Sequence, residues 1–366
     1  MNSILLSKKR KFHPKVNKLF IFLFLLISTI FIEIYIFKVD IKKIKNVFRN
    51  IINKIFKFYN NYENNITYNI NIMKSYINHQ KNFCKFPYKY NDYLYENQIT
   101  LTNFSLINIS YEFYVYKNDD SISDLIFHKK NFEGDILINC LSALKYYKDH
   151  KNIINNKDIY ILDIGGNIGV YPFFLGRFGY SILSFEPSPR NFYISKKNYC
   201  LNQNLNIIII NKGLSSEEKT CDYYSSKNNI GNGIALCNNT IDNIKIKNDL
   251  FKNGNITVTK LKNFIPFLSN KNVALIKIDI EGGEGKAIEG GLDLITKYHI
   301  PFIVLEFTPS YLEDHNTDPI KFLELFVNNG YKISLNGFLS NSFISINQIM
   351  NIINIQINLY FIYKGN

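Results

Sequence analysis

The sequence predicts an α/β fold, a Rossmann-like sheet of seven mostly parallel strands with helices on both faces, and three observations predict it. The first is the stretch DIYILDIGGNIGVYPFFLGRFGYSILSFEPSPR over Asp158–Arg190, which reads as strand, glycine turn, helix and second strand. The second is the alternation of short apolar runs with helical patterns through the rest of the C-terminal half, as in successive βαβ units. The third is the closing pair of apolar segments, Tyr331–Leu335 and Leu359–Tyr363, which such a sheet accepts as its last, antiparallel strands.

From the N-terminus, Met1–Lys18 is a basic tail and Leu19–Phe37 is an apolar run whose only charge is Glu33, long enough to cross a bilayer. No small-residue cleavage site follows it, which points to an uncleaved anchor. Basic residues flank the run on both sides. The density of Lys8–Lys11 favours a cytoplasmic N-terminus and a catalytic domain in the lumen of the secretory pathway. Ile41, Ile44, Phe48, Ile51, Ile55, Phe58 and Tyr62 then recur every three or four residues. This seam suits either a stalk that pairs two chains or an amphipathic helix at the membrane surface. Residues 38–109 are read as stalk and linker, with the catalytic domain over 110–366.

Within that domain Tyr111–Tyr116 alternates like a strand and Gly134–Lys148 presents one apolar helical face. Ile159–Ile164 is the first sheet strand, Val170–Phe178 a helix, Tyr180–Phe185 a strand, Asn191–Leu201 a helix and Ile207–Ile210 a third strand. Ser215–Asn255 is polar and reads as an irregular insertion. Ala274–Ile280 and Ile303–Phe307 supply strands four and five, and Asp318–Asn329 is a helix stopped by Gly330.

Of the net charge of +13, +11 resides in residues 1–60, so the catalytic part is nearly neutral. A nucleic-acid enzyme would carry its positive field on the catalytic domain, which excludes that partner. Cys84, Cys140, Cys200, Cys221 and Cys237 lack the close pairs of a zinc site, and their odd number leaves one free within a chain. Sequons at Asn65, Asn103, Asn108, Asn238 and Asn255 are no more than a chain so rich in Asn yields by chance.

The glycine turn defines the expected cofactor site: Gly165, Gly166 and Gly169 let backbone approach a ligand, Asn167 lies among them, and Glu186 stands where a carboxylate takes both ribose hydroxyls. Asp163, two residues before the first glycine, would repel a pyrophosphate and attract a sulfonium and an ammonium. That pattern selects S-adenosyl-L-methionine over a dinucleotide. The adenine would lie at Lys212-Gly213-Leu214, so Leu214 joins the cofactor residues.

DIGGNIG, FEPSPRNF, LIKIDIEGGEGKAIEGG and FIVLEF, in this order and spacing, resemble the FkbM-type methyltransferases over roughly residues 110–363. The resemblance implies the class I methyltransferase fold, S-adenosylmethionine dependence and, for most members, methylation of hydroxyl oxygens on a glycan or small molecule. One departure is Lys262, which stands where the family usually has Asp.

Acceptor chemistry should come from the end of strand four, because ligands of open sheets bind beyond the strand ends. Lys277, Asp279 and Glu281 lie there on one face by alternation. Two adjacent carboxylates split in pKa so that one acts as base, or else hold a divalent cation. Glu306, at the end of strand five, is a further lining candidate, whereas His299 reads as structural and His128 and His315 receive no role. Two other readings compete: a membrane-anchored nucleotide-sugar glycosyltransferase using Asp279-x-Glu281, which leaves Asp163 and the glycine turn idle, and a non-catalytic binding module of the same fold.

Overall fold

The computed structural model describes residues 71–85, 92–237, 250–352 and 356–365. The basic tail 1–18, the apolar run 19–37 and the seam from Ile41 to Tyr62 lie outside the described residues. Among the described residues, no helix is long and apolar enough to cross a membrane.

The first strands, β1 (Ile99–Leu106) and β2 (Ile109–Tyr116), form an antiparallel hairpin. Its inward aromatics Phe104, Tyr111 and Phe113 pack on one another and on Phe173 and Phe174 of the helix Val170–Gly176. The helix Gly134–His150 buries Leu137, Cys140, Ala143 and Leu144 on its inner face. The sheet then runs through β3 (Ile159–Ile164), β4 (Ser181–Phe185) and β5 (Ile207–Ile210).

A second, smaller sheet follows: β6 (Gly213–Leu214), β7 (Lys219–Ser226), β8 (Asn229–Leu236) and β9 (Leu250–Thr259), in the order β6-β9-β7-β8. The expected irregular insertion at Ser215–Asn255 is therefore corrected: most of its described part is strand. The inward positions of β7 are Cys221, Tyr223 and Ser225, so the period of two is present without the aliphatic residues that advertise it. Cys221 pairs with Cys237 across the base of this hairpin.

The central sheet resumes with β10 (Asn272–Ile278), β11 (Phe302–Phe307), β12 (Tyr331–Ser334) and β13 (Ile357–Tyr363). Its order is β12-β13-β11-β10-β3-β4-β5, with β13 antiparallel to both neighbours and all other pairs parallel. Every residue of β4 and six of the seven in β10 are buried, as expected of strands covered on both faces. Ile159 and Ile161 join the core on one side of the sheet, Leu162 and Ile164 that on the other. Each fully buried aliphatic side chain of this kind stabilises the fold by ~1.5–3 kcal/mol. Helix starts are fixed locally: the side chains of Ser188 and Asp318 accept from backbone N–H groups in the first turn of Pro189–Leu201 and Pro319–Asn328, each of which carries proline in that turn.

The boundary expected at residue 110 is also corrected. Residues 71–85 are helical and bury Met73 and Phe83. Gln80 donates to Ile207 O and accepts from Ile209 N, both at 3.0 Å, which caps the free edge of β5. A Cys84–Cys200 disulfide fixes the same helix, and the compact unit extends from Ile66 to the C-terminus. Cys140 is the free, buried cysteine.

Candidate active site

Three chain crossings meet at the carboxyl ends of β3, β4 and β10. The Gly165 and Gly166 N–H groups donate to Phe185 O at 3.0 and 2.9 Å, and Asp279 N donates to Ile164 O at 3.0 Å. A methyl group on Gly165, which has φ +82°, would sit 1.8 Å from Asp279 O, so only glycine lets β10 approach so closely. At Gly166 it would fall 2.1 Å from Ser184 Oγ and 2.8 Å from Asp163 Oδ2. These glycines are needed for packing of protein on protein as much as for ligand approach.

In front of this junction lies a cavity of about 430 Å³, within the range of small-molecule sites. One end is lined by Gly165, Asn167, Glu186, Gly213 and Leu214, the other by Glu133, Asp279, Glu281 and Glu306. Glu186 Oε2 accepts from Asn167 N at 2.7 Å, and Oε1 accepts from Ser188 N at 2.8 Å and Asn191 Nδ2 at 3.5 Å. Burial pushes its carboxyl up to about 7. Of about four acceptor positions on a carboxylate, three are engaged by protein donors.

Asp163 is placed differently from the sequence expectation. It is fully buried behind the turn and does not line the cavity. Ser184 Oγ donates to its Oδ2 at 2.6 Å, while Oδ1 has no hydrogen-bond partner. Burial raises its pKa, and Lys277, its register partner on β10, opposes the rise. Gly166 and Gly169 likewise lie off the cavity wall. The acids that do face the cavity are those of its wall. There the acids Glu133, Glu186, Glu217, Asp279, Glu281 and Glu306 outnumber Lys219 and Lys286.

Lys277, placed by the sequence with Asp279 and Glu281, does not line the cavity. It is buried, and its Nζ donates to Gly165 O at 3.0 Å and to Asp279 Oδ2 at 3.2 Å. Burial opposes its charge, but Asp279, Asp163 and Glu133 outweigh burial and hold the ammonium above its ordinary pKa. Asp279, Glu281 and Glu306 are brought together, each offering an oxygen within 4.8 Å of the others. Burial and then Asp279 raise Glu281 to about 7 and Glu306 to about 8. Asn232 and Gln356, which also line the cavity, oppose these rises at Glu281 and Glu306 respectively. Glu284 Oε1 accepts from Ile280 N at 3.0 Å, so it is Glu284 and not Glu281 that ties down the following turn.

Several site residues carry no sequence signal. Glu133, in the left-handed conformation before the helix Gly134–His150, accepts from Tyr171 Oη at 2.6 Å and borders the cavity. Asn191 donates to Gly231 O at 2.7 Å and accepts from Tyr116 Oη at 2.7 Å. His315 lines the cavity with Nδ1 2.9 Å from Tyr311 O. His299 lies elsewhere and stacks on Tyr363. Lys262 is exposed on a short 3₁₀ turn, its N–H donating to Gly290 O, and nothing in the structure gives its side chain a role in the site.

A Rossmann-like sheet with its last strands antiparallel, a glycine turn facing an acid at the next strand end, and a carboxylate-rich pocket are the features expected of the methyltransferase fold. Residues 163–333 match the family model described as the Methyltransferase FkbM domain. Among solved structures, the human methyltransferase 10 domain containing protein is similar at 14% identity over 62% of this chain and 82% of that one, with a TM-score of 0.31. The SAM Dependent Methyltransferase from Agrobacterium tumefaciens is similar at 10% identity over 73% and 70%, TM-score 0.33. TYW2 of M. jannaschii in complex with AdoMet is similar at 12% over 72% and 85%, TM-score 0.30. A search of the curated proteins found no match.

Proposed function

We propose that this chain methylates a hydroxyl oxygen of a glycan or other hydroxyl-bearing small molecule, with S-adenosyl-L-methionine as donor. The observation that carries the reading is the single cavity that joins Asn167, Glu186 and Leu214 to Asp279, Glu281 and Glu306. The donor end fits this cofactor: Glu186 has acceptor capacity for one ribose hydroxyl, Gly213 and Leu214 offer a small apolar surface to adenine, and the acidic wall suits a cationic ligand without phosphate. When bound, the cofactor supplies an electrophilic methyl group on a sulfonium.

The chain's own residues then have separable tasks. Glu281 would accept the acceptor's hydroxyl proton while the oxygen bonds to the methyl carbon and the methyl–sulfonium bond breaks, its electron pair leaving on sulfur as a neutral thioether; a base with a pKa close to the working pH is the effective one. Lys277 holds Asp279 against the donor turn. The same negative wall disfavours phosphate-bearing acceptors, including nucleic acids.

The two disulfides, Cys84–Cys200 and Cys221–Cys237, support an oxidising compartment, and the apolar run 19–37 supports a membrane anchor with the catalytic domain in the lumen. Titration calorimetry with S-adenosylhomocysteine and, separately, UDP-sugars tests the donor. Binding of the UDP-sugar alone would overturn the reading in favour of glycosyl transfer. Transfer of labelled methyl from the donor to neutral glycans or small alcohols in an extract tests the acceptor.

A further inference from the structure

Asn191 is the third residue of the helix Pro189–Leu201 and is only 2% exposed, although its side chain ends in a polar amide. Its partners account for that burial. Gly231 O can only accept, so the Asn191 amide nitrogen faces it, at 2.7 Å. The amide oxygen is thereby turned to Tyr116 on β2, whose Oη donates to it at 2.7 Å. The same nitrogen donates to Glu186 Oε1 at 3.5 Å. Asn167 repeats the arrangement on the other carboxylate oxygen. Its backbone N–H donates to Glu186 Oε2 at 2.7 Å, and its side-chain amide donates to Gly231 O at 3.2 Å. Each oxygen of Glu186 is thus linked, through one asparagine, to the same carbonyl.

That carbonyl belongs to the small sheet and is itself held in place. The register between β7 and β8 steps from Asn229 opposite Ser226 to Gly233 opposite Ser225, so residues 230–232 bulge from the ladder. Ile230 N donates to Asp119 O at 2.8 Å. A methyl group on Gly231 would sit 2.2 Å from Asp120 Oδ1, so only glycine brings the bulge this close. The donor Ser188 N reaches Glu186 from the carboxylate's own turn, whereas Asn191 connects it to β2 and β8. Resting on the donor reading above, in which Glu186 takes a ribose hydroxyl, we propose that Asn191 is a positioning residue for the donor's ribose. It holds the Glu186 carboxylate in the orientation set by the bulge, so the small sheet takes part in recognising that sugar.

The test is calorimetry on the full chain with S-adenosylhomocysteine and its 2′-deoxy and 3′-deoxy analogues. The wild type should lose at least about tenfold in affinity when the hydroxyl that Glu186 takes is missing, the scale of one hydrogen bond to a charged group. Asn191→Leu, close in size but without the amide, should weaken S-adenosylhomocysteine about fivefold or more and that deoxy analogue less than about twofold. In a Glu186→Gln background the same change should cost S-adenosylhomocysteine less than about twofold. Equal losses for all three ligands would overturn the assignment, as would no loss for any of them. If Asn191→Leu melts early, the comparison passes to Tyr116→Phe, which removes only the hydroxyl that orients the amide. There too S-adenosylhomocysteine should lose more than the deoxy analogue, and equal losses would count against the assignment. A wild type that binds none of the three would sink the donor reading, and one that binds all three alike would sink the role given to Glu186. A discriminating wild type whose discrimination survives Asn191→Leu unchanged would sink this inference alone.

Discussion

Glu281 lies in a pocket where burial and the Asp279 carboxylate disfavour its charged form, raising it to about 7. Methyl transfer should therefore rise with pH through about 7, as the carboxyl loses its proton and becomes a base. Glu281→Gln should lower kcat by about 10²-fold or more while leaving S-adenosylhomocysteine affinity unchanged, measured by single-turnover kinetics and calorimetry. Stability should run the other way. Glu186, Glu284 and Glu306 are raised from 4.5 to about 7, 7 and 8, so the folded chain keeps protons that the unfolded chain has released. Their contribution to stability is complete below about pH 4.5 and is lost as pH rises through about 7–8. Thermal scans should show Glu306→Gln more stable than wild type at about pH 8 and little different at about pH 4, a flattening that would be absent if this carboxyl titrated normally.

At the scale of elements, the glycine turn and the small sheet decide how the site holds its shape. Gly165→Ala places a methyl group against Asp279 O and demands a left-handed residue, so it should cost ~1–3 kcal/mol and loosen both half-sites. Urea unfolding with parallel calorimetry checks this. The Cys84–Cys200 bridge spans 116 residues and Cys221–Cys237 spans 16. Opening the first by paired serine substitutions should therefore cost about 1–2 kcal/mol more than opening the second, on the chain-entropy scale. The sheet strands were legible because β3 (IYILDI), β4 (SILSF) and β5 (IIII) are short apolar segments carried by Ile and Leu. The β7–β8 hairpin was not, since its inner face is Cys, Tyr and Ser. Asp163 was legible as a residue that matters, but its place behind the turn depends on Ser184 and Lys277, which reach it from neighbouring strands. Glu133 and Asn191 escape sequence reading for the same reason: only tertiary proximity to Tyr171 and Gly231 gives them a task.

Over the whole molecule, the described core extends farther toward the N-terminus than composition suggests. A fragment starting at Ile66 should unfold cooperatively and bind S-adenosylhomocysteine, whereas one starting at residue 110 should aggregate or melt much earlier. It would expose the edge of β5, lose the Cys84–Cys200 bridge and lack β1. Size-exclusion chromatography and thermal melts of the two fragments distinguish these outcomes. The Asn- and Tyr-rich composition of residues 63–109 hid this, because the contacts that matter are one glutamine, one phenylalanine and one cysteine rather than a periodic face.

One ammonium, that of Lys277, grips the carbonyl of the donor turn and the first acid of the acceptor pocket together. A redesign that reshapes the pocket by altering Asp279 would consequently disturb the glycine turn as well. Variants for new substrates are better sought along β11 and the loop bearing Gln356, where the pocket can be reshaped without touching that common fastening.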